Sequence, residues 1–104
     1  MNREELLNFH KKFCEEMLIT LSKKNADYTG FNKDAFVNFT AVEFLGIART
    51  EQGFLTRMTD KLLRLTTFVK QGHLKVNDES VIDTLQDLAN YSILLAAYLK
   101  GKPQ

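Results

Sequence analysis

Three carboxylates near the end of the chain fall on one side of any helix that contains them. With Glu79 at the zero of angle and about 100° per residue, Asp83 sits near ~40°, Asp87 near ~80° and Asn90 near ~20°. Oxygen donors stacked along one helix face suit a hard divalent cation. With no histidine or cysteine beside them, they favour Mg2+ or Mn2+ over zinc. Further along, the same face turns apolar through Tyr91, Leu94 and Tyr98. A cation at one end and a flat organic ring at the other would explain that change of character. On an open surface, like charges at this spacing cost only ~0.2–0.5 kcal/mol per pair. An acidic, solvated helix face is therefore the competing reading. Covered by a neighbouring helix, the carboxylates must find a cation, a basic partner or protons.

A second set of polar residues offers a basic complement. Arg57, Asp60, Lys61 and Arg64 lie within ~100° of one another on a helix, away from a leucine seam. Asp60 and Arg64 form an ordinary pair four residues apart. Alternatively, Lys61 and Arg64 hold phosphate oxygens while Asp60 joins a metal shell, and both readings stand. His10 and His73 are isolated in the sequence, His73 reading as a loop residue or a charge complement to a helix C-terminus. There is no Gly-rich phosphate loop, no Gly-x-Ser-x-Gly elbow and no Cys/His pair for nucleophilic work.

The elements that must carry these faces read as helices. The only proline is Pro103, and strings of Leu, Lys, Glu, Ala and Met without alternating β-branched runs favour helix over strand. A first helix is expected over about residues 3–24, with Leu6, Phe9, Phe13, Met17, Leu18 and Leu21 as its apolar face and Cys14 as buried filling. It should end in the turn formers Asn25 to Gly30. A second helix is expected from Asp34, its N-cap, to Ala48. Apolar nearly all round, that helix should be buried between partners. The third should run from Thr50 or Glu51 to a stop at Gly72, with Leu55, Met58, Leu62, Leu65 and Val69 as its core seam. The fourth should open at Asn77 or Asp78 and run to Lys100, packing through Val81, Ile82, Leu85, Leu88, Ala89 and Ser92. Short connections between long helices imply an all-α, four-helix bundle of mostly antiparallel neighbours, one domain over residues 1–104.

Composition excludes several functions. A net charge of +1 gives no general field for nucleic acid or anionic lipid. No apolar run approaches the roughly 20 residues needed to span a membrane. The first residues lack the apolar core of a signal peptide, so a reducing, cytoplasmic setting is expected. The apolar second helix and the Leu94/Tyr98 patch point to self-association.

Three segments in order carry a resemblance. These are Lys24-Asn25-Ala26-Asp27-Tyr28-Thr29-Gly30, Asp60-Lys61-Leu62-Leu63-Arg64-Leu65, and the run from Asp78 to Tyr91 with Asp83, Asp87 and Asn90. Together they resemble the nucleotide-modification-associated domain of type 1, a small helical family common in bacteriophages. More distantly they are similar to the all-α nucleoside triphosphate pyrophosphatases of the MazG type. The resemblance implies a bundle, in a phage or prophage protein of a bacterial host, that binds a nucleotide. With magnesium it would split a nucleoside triphosphate into the monophosphate and pyrophosphate. It implies metal ligation by carboxylates on paired helices and a triphosphate steadied by Lys61 and Arg64. Asn25, Asp27 and Tyr28 would contact the base or sugar, with Tyr91 as a second stacking candidate. It also implies a homodimer or larger homo-oligomer. The pyrophosphatases pair Glu-x-x-Glu with Glu-x-x-Asp, and neither motif stands in this chain. The second helix offers only Glu43, which leaves the number of metals open, as it leaves hydrolysis against simple binding.

Overall fold

The computed structural model describes residues 1–30, 33–73 and 80–102. Among them are four helices and no strand: α1 (Arg3–Thr29), α2 (Val37–Phe44), α3 (Thr50–Gln71) and α4 (Val81–Gly101). No helix is long and apolar enough to cross a membrane. The all-α reading is correct. Two compact units, Met1–Ala35 and Phe36–Gln104, are described separately.

The first unit is α1. Asn2 caps it by accepting the Glu5 N–H at 2.9 Å. The helix runs five residues past its expected end because nothing between Asn25 and Thr29 forbids helical dihedrals. It stops where Gly30 takes φ 60° and returns its N–H to Ala26 O. Asn25 and Thr29, read as turn formers, serve the helix end instead. Thr29 Oγ1 donates to Asn25 O at 2.7 Å, and Asn25 Nδ2 donates to Ala35 O at 2.9 Å. Met17 is buried, whereas Leu6, Phe9 and Leu18 of the same expected apolar face are exposed. Cys14 is exposed rather than buried filling, with its Sγ 3.8 Å from His10 Nδ1 one turn away.

In the second unit, α2 is shorter than expected at both ends. Phe36, not Asp34, precedes its first turn, and the chain leaves it through Leu45 and Gly46, the glycine at φ 75°. Nor is α2 buried all round. Phe39 is buried, but Phe44 is 90% exposed, and Leu45 and Ile47 are exposed too. α3 matches expectation, beginning at Thr50 and ending against Gly72 at φ 79°. Gly53 allows α2 to approach closely, since a Cβ there would lie 3.1 Å from Val42 Cγ2. α4 begins at Val81 with Ser80 as N-cap; Asn77 and Asp78, the expected openers, lie outside the described residues. Ser80 Oγ accepts the Asp83 N–H at 3.1 Å while Asp83 Oδ2 accepts the Ser80 N–H at 3.2 Å. Ser80→Ala should therefore cost about 1 kcal/mol, read as a lowered melting temperature with unchanged helix content.

The core of this unit is aromatic, not leucine-lined. Phe54 is fully buried, and its ring stacks on Phe39 with centroids 4.3 Å apart. Tyr98 packs against Phe54 and Phe36, and Tyr91 meets Phe39 edge-on. The contacts Phe54–Tyr98, Lys61–Asp87 and Glu51–Lys102 set α3 and α4 antiparallel. The expected leucine seam is only partly interior: Met58 and Leu65 are half-buried, but Leu55 and Leu62 are exposed, and Val69 is 80% exposed. On α4, Ile82, Leu85 and Ser92 are exposed, while Thr84 and Asn90 are buried. Both helices are thus turned so that their polar and aromatic stripes meet. Tyr98, expected in a surface patch, belongs to that interior.

Candidate functional site

The turn of α3 and α4 brings the basic stripe of one helix against the carboxylate stripe of the other. Lys61 Nζ lies 2.9 Å from Asp87 Oδ2, with side chains only 13% and 16% exposed. One turn further along α4, Asn90 is 7% exposed and Tyr91 half-buried. Lys61 and Asp87 thus meet between α3 and α4, with the buried Asn90 and the half-buried Tyr91 one turn along α4 and the Tyr91 ring edge-on to Phe39 of α2. Of the alternatives open to a covered carboxylate, Asp87 has taken a basic partner.

The other candidate residues have separate neighbours. Asp60 and Arg64 form the pair expected four residues apart, at 3.5 Å, with Asp60 63% exposed. Asp83 serves the N-cap of α4. Glu43 Oε2 accepts a hydrogen bond from the fully buried Thr50 hydroxyl at 3.2 Å, tying the end of α2 to the start of α3. Glu79 lies outside the described residues. Among the described residues, no three His, Cys, Asp or Glu side chains gather closely enough to hold a metal ion. Asn25, Asp27 and Tyr28 belong to the first unit, Asn25 turned to Ala35 and the other two exposed.

Two features of the second unit were not read as functional from the sequence. Arg57, on the same α3 stripe as Lys61, has its guanidinium 4.5 Å from the centroid of the Phe39 ring and donates to Asn38 O at 3.5 Å. Its spacing of four from Lys61 was the available signal. The second is a clasp at the end of α4. Lys102 Nζ reaches Glu51 Oε2 at 3.1 Å and sits over the Tyr98 ring. The hydrogen bond from Lys102 lowers the Glu51 carboxyl below the usual carboxylate value, and the same bond raises the Lys102 ammonium. A lowered carboxylate stabilises the fold above its unfolded value, and that contribution fades as pH falls through the folded one. A raised ammonium stabilises below its unfolded value, and loses that contribution as pH rises through the folded one. The clasp is thus complete around neutral pH. Glu51→Gln should flatten the acid limb of a stability-against-pH curve by a small amount, because both side chains are about a third or more in contact with water.

No curated protein and no solved structure matches the chain. The family model described as nucleotide modification associated domain 1 matches residues 24–97. That span includes the end of α1, all of α2 and α3, and α4 through the Lys61–Asp87 pair to Asn90 and Tyr91. The chain belongs to the nucleotide modification associated domain 1 family.

Proposed function

We propose that this chain binds a nucleoside triphosphate along the α3–α4 seam, as a domain of phage-type nucleotide metabolism in a bacterial cytoplasm. One observation carries the reading: a covered ion pair, Lys61–Asp87, continues into the buried amide Asn90 and the ring of Tyr91. A seam that served packing alone would gain more from apolar residues, since a covered ion pair is often no better than a hydrophobic replacement of its own volume. A polyphosphate needs cations, which α3 supplies in Lys61 and Arg64. A base needs a flat ring and a hydrogen-bonding amide, which Tyr91 and Asn90 supply.

Hydrolysis to monophosphate and pyrophosphate is the second reading, favoured by the shared face of Asp83, Asp87 and Asn90. Its metal, Mg2+ or Mn2+, would be held by Glu79, Asp83 and Asp87, with Asp60 and Glu43 as further candidates. The oxygen-only donor set suits such an ion, which would offset phosphate charge and help activate water. Asp87 shares its carboxylate with Lys61 and Asp83 serves a cap, so binding ranks ahead of chemistry. We also infer that the chain self-associates through the apolar residues that α3 and α4 leave exposed.

The experiment is a panel of nucleoside and deoxynucleoside triphosphates, with and without Mg2+, read by thermal shift and by pyrophosphate release. Stabilisation without release identifies a binding module, and release identifies the hydrolase. No stabilisation by any nucleotide, at saturating concentration and with or without Mg2+, would sink both readings.

A further inference from the structure

Three cations, Arg57, Lys61 and Arg64, share one stripe of α3, and their surroundings differ. Lys61 is held by Asp87 at 2.9 Å, and Arg64 by Asp60 at 3.5 Å. Arg57 has no carboxylate partner among the described residues. Its polar contact is one long hydrogen bond to Asn38 O, 3.5 Å. A guanidinium carries five N–H donors in a planar fork, so most of that capacity is unmet by protein. The side chain is part-buried, yet none of its nitrogens is buried without a partner, so its remaining N–H groups face solvent and are open to a ligand. Its position is set by the Phe39 ring 4.5 Å beneath it, a ring buried against Phe54. A second polar group of the α2–α3 corner is also unmet, since the Asn38 side-chain oxygen is buried with no hydrogen-bond donor.

A charged fork seated over an aromatic ring, without an acidic partner among the described residues, is arranged for an anion from outside the chain. Planar, bidentate geometry matches phosphate oxygens, and preorganisation over the ring reduces the ordering cost of binding them. We propose that Arg57 is the residue that grips the phosphate of the ligand, with Lys61 and Arg64 acting behind it through their carboxylate pairs. This rests on the nucleotide reading for the identity of the ligand, but not for the anion site itself. The chemical class is a phosphate ester or polyphosphate, reached at the α2–α3 corner.

The test uses the full chain with two probes, dATP and inorganic tripolyphosphate, titrated calorimetrically. Losing a charge-assisted contact should weaken both probes about tenfold or more in Arg57→Gln. Lys70→Gln, an exposed cation near the end of α3, should change neither. Unchanged affinity for both probes in a folded Arg57→Gln protein overturns the proposal, as does failure of tripolyphosphate and dATP alike to bind the native chain. Tripolyphosphate binding that needs Arg57, without any dATP binding, supports the anion site and defeats the nucleotide reading. A measurement on the native protein covers the case in which the variant does not fold. The Arg57 Nε–H resonance should shift on saturation with tripolyphosphate, by more than that of Arg64, and a stationary Arg57 signal would also overturn the assignment.

Discussion

Asp87→Asn should destabilise the second unit by about 2–3 kcal/mol, and Lys61→Met should cost a similar amount. The two charges lie 2.9 Å apart with side chains 13% and 16% exposed, so removing one leaves the other covered and without that partner. A fully buried pair would lose more, and residual water contact brings the figure down. The decisive measurement is the double variant. Lys61→Met with Asp87→Asn removes both charges, and its loss should fall well short of the sum of the single losses, because no lone charge remains. Denaturant melts of the four proteins give the cycle. Additive losses would mean that the two groups do not hold each other in solution. The same variants separate stability from binding. If the seam receives nucleotide, the double variant should regain stability but not nucleotide-dependent stabilisation.

How far this arrangement was legible in the sequence depends on two seams with the same period. On α3, Leu55, Leu62 and Val69 recur every seven residues, and so do Phe54 and Lys61 one position earlier. On α4, Thr84, Tyr91 and Tyr98 repeat at seven, and Asp87 and Leu94 fall between them. Periodicity reports that a helix has a face, and apolar content ordinarily decides which face is inside. Here α3 and α4 meet through Phe54, Lys61, Asp87 and Tyr98 instead. The carboxylate stripe and its turn to aromatic residues were readable, and so was the chance that a basic partner would meet it. That Asp87 would choose Lys61 was not readable, because the choice between residues 26 positions apart depends on the register of two helices. A helix end set by glycine was legible at Gly72, whereas at Gly30 the run of turn formers before it hid five further helical residues. The start of α2 was not, since Asp34 carries the right side chain but Phe36 has the position.

The apolar seam, displaced from the α3–α4 contact, leads to the other large expected effect. Leu55, Leu62 and Val69 on α3, and Ile82, Leu85, Ile93 and Leu99 on α4, stay exposed within the second unit. Each side chain of this size gains about 1.5–3 kcal/mol when fully taken out of water. Scattered exposed leucines are ordinary, but two stripes at helical spacing are not. A second copy is the simplest cover, because a two-fold contact buries the same stripe on both partners. The native chain should therefore sediment as a dimer or larger assembly at micromolar concentration. Leu62→Glu or Ile93→Glu should dissociate it, since each change enters a symmetric contact twice and places a charge where apolar surface was to be buried. Helix content should persist in the dissociated variant, because neither residue belongs to the aromatic core around Phe54. A native chain that sediments as a monomer would show that these stripes tolerate water, and a Glu variant that unfolds would place them inside the fold of each copy.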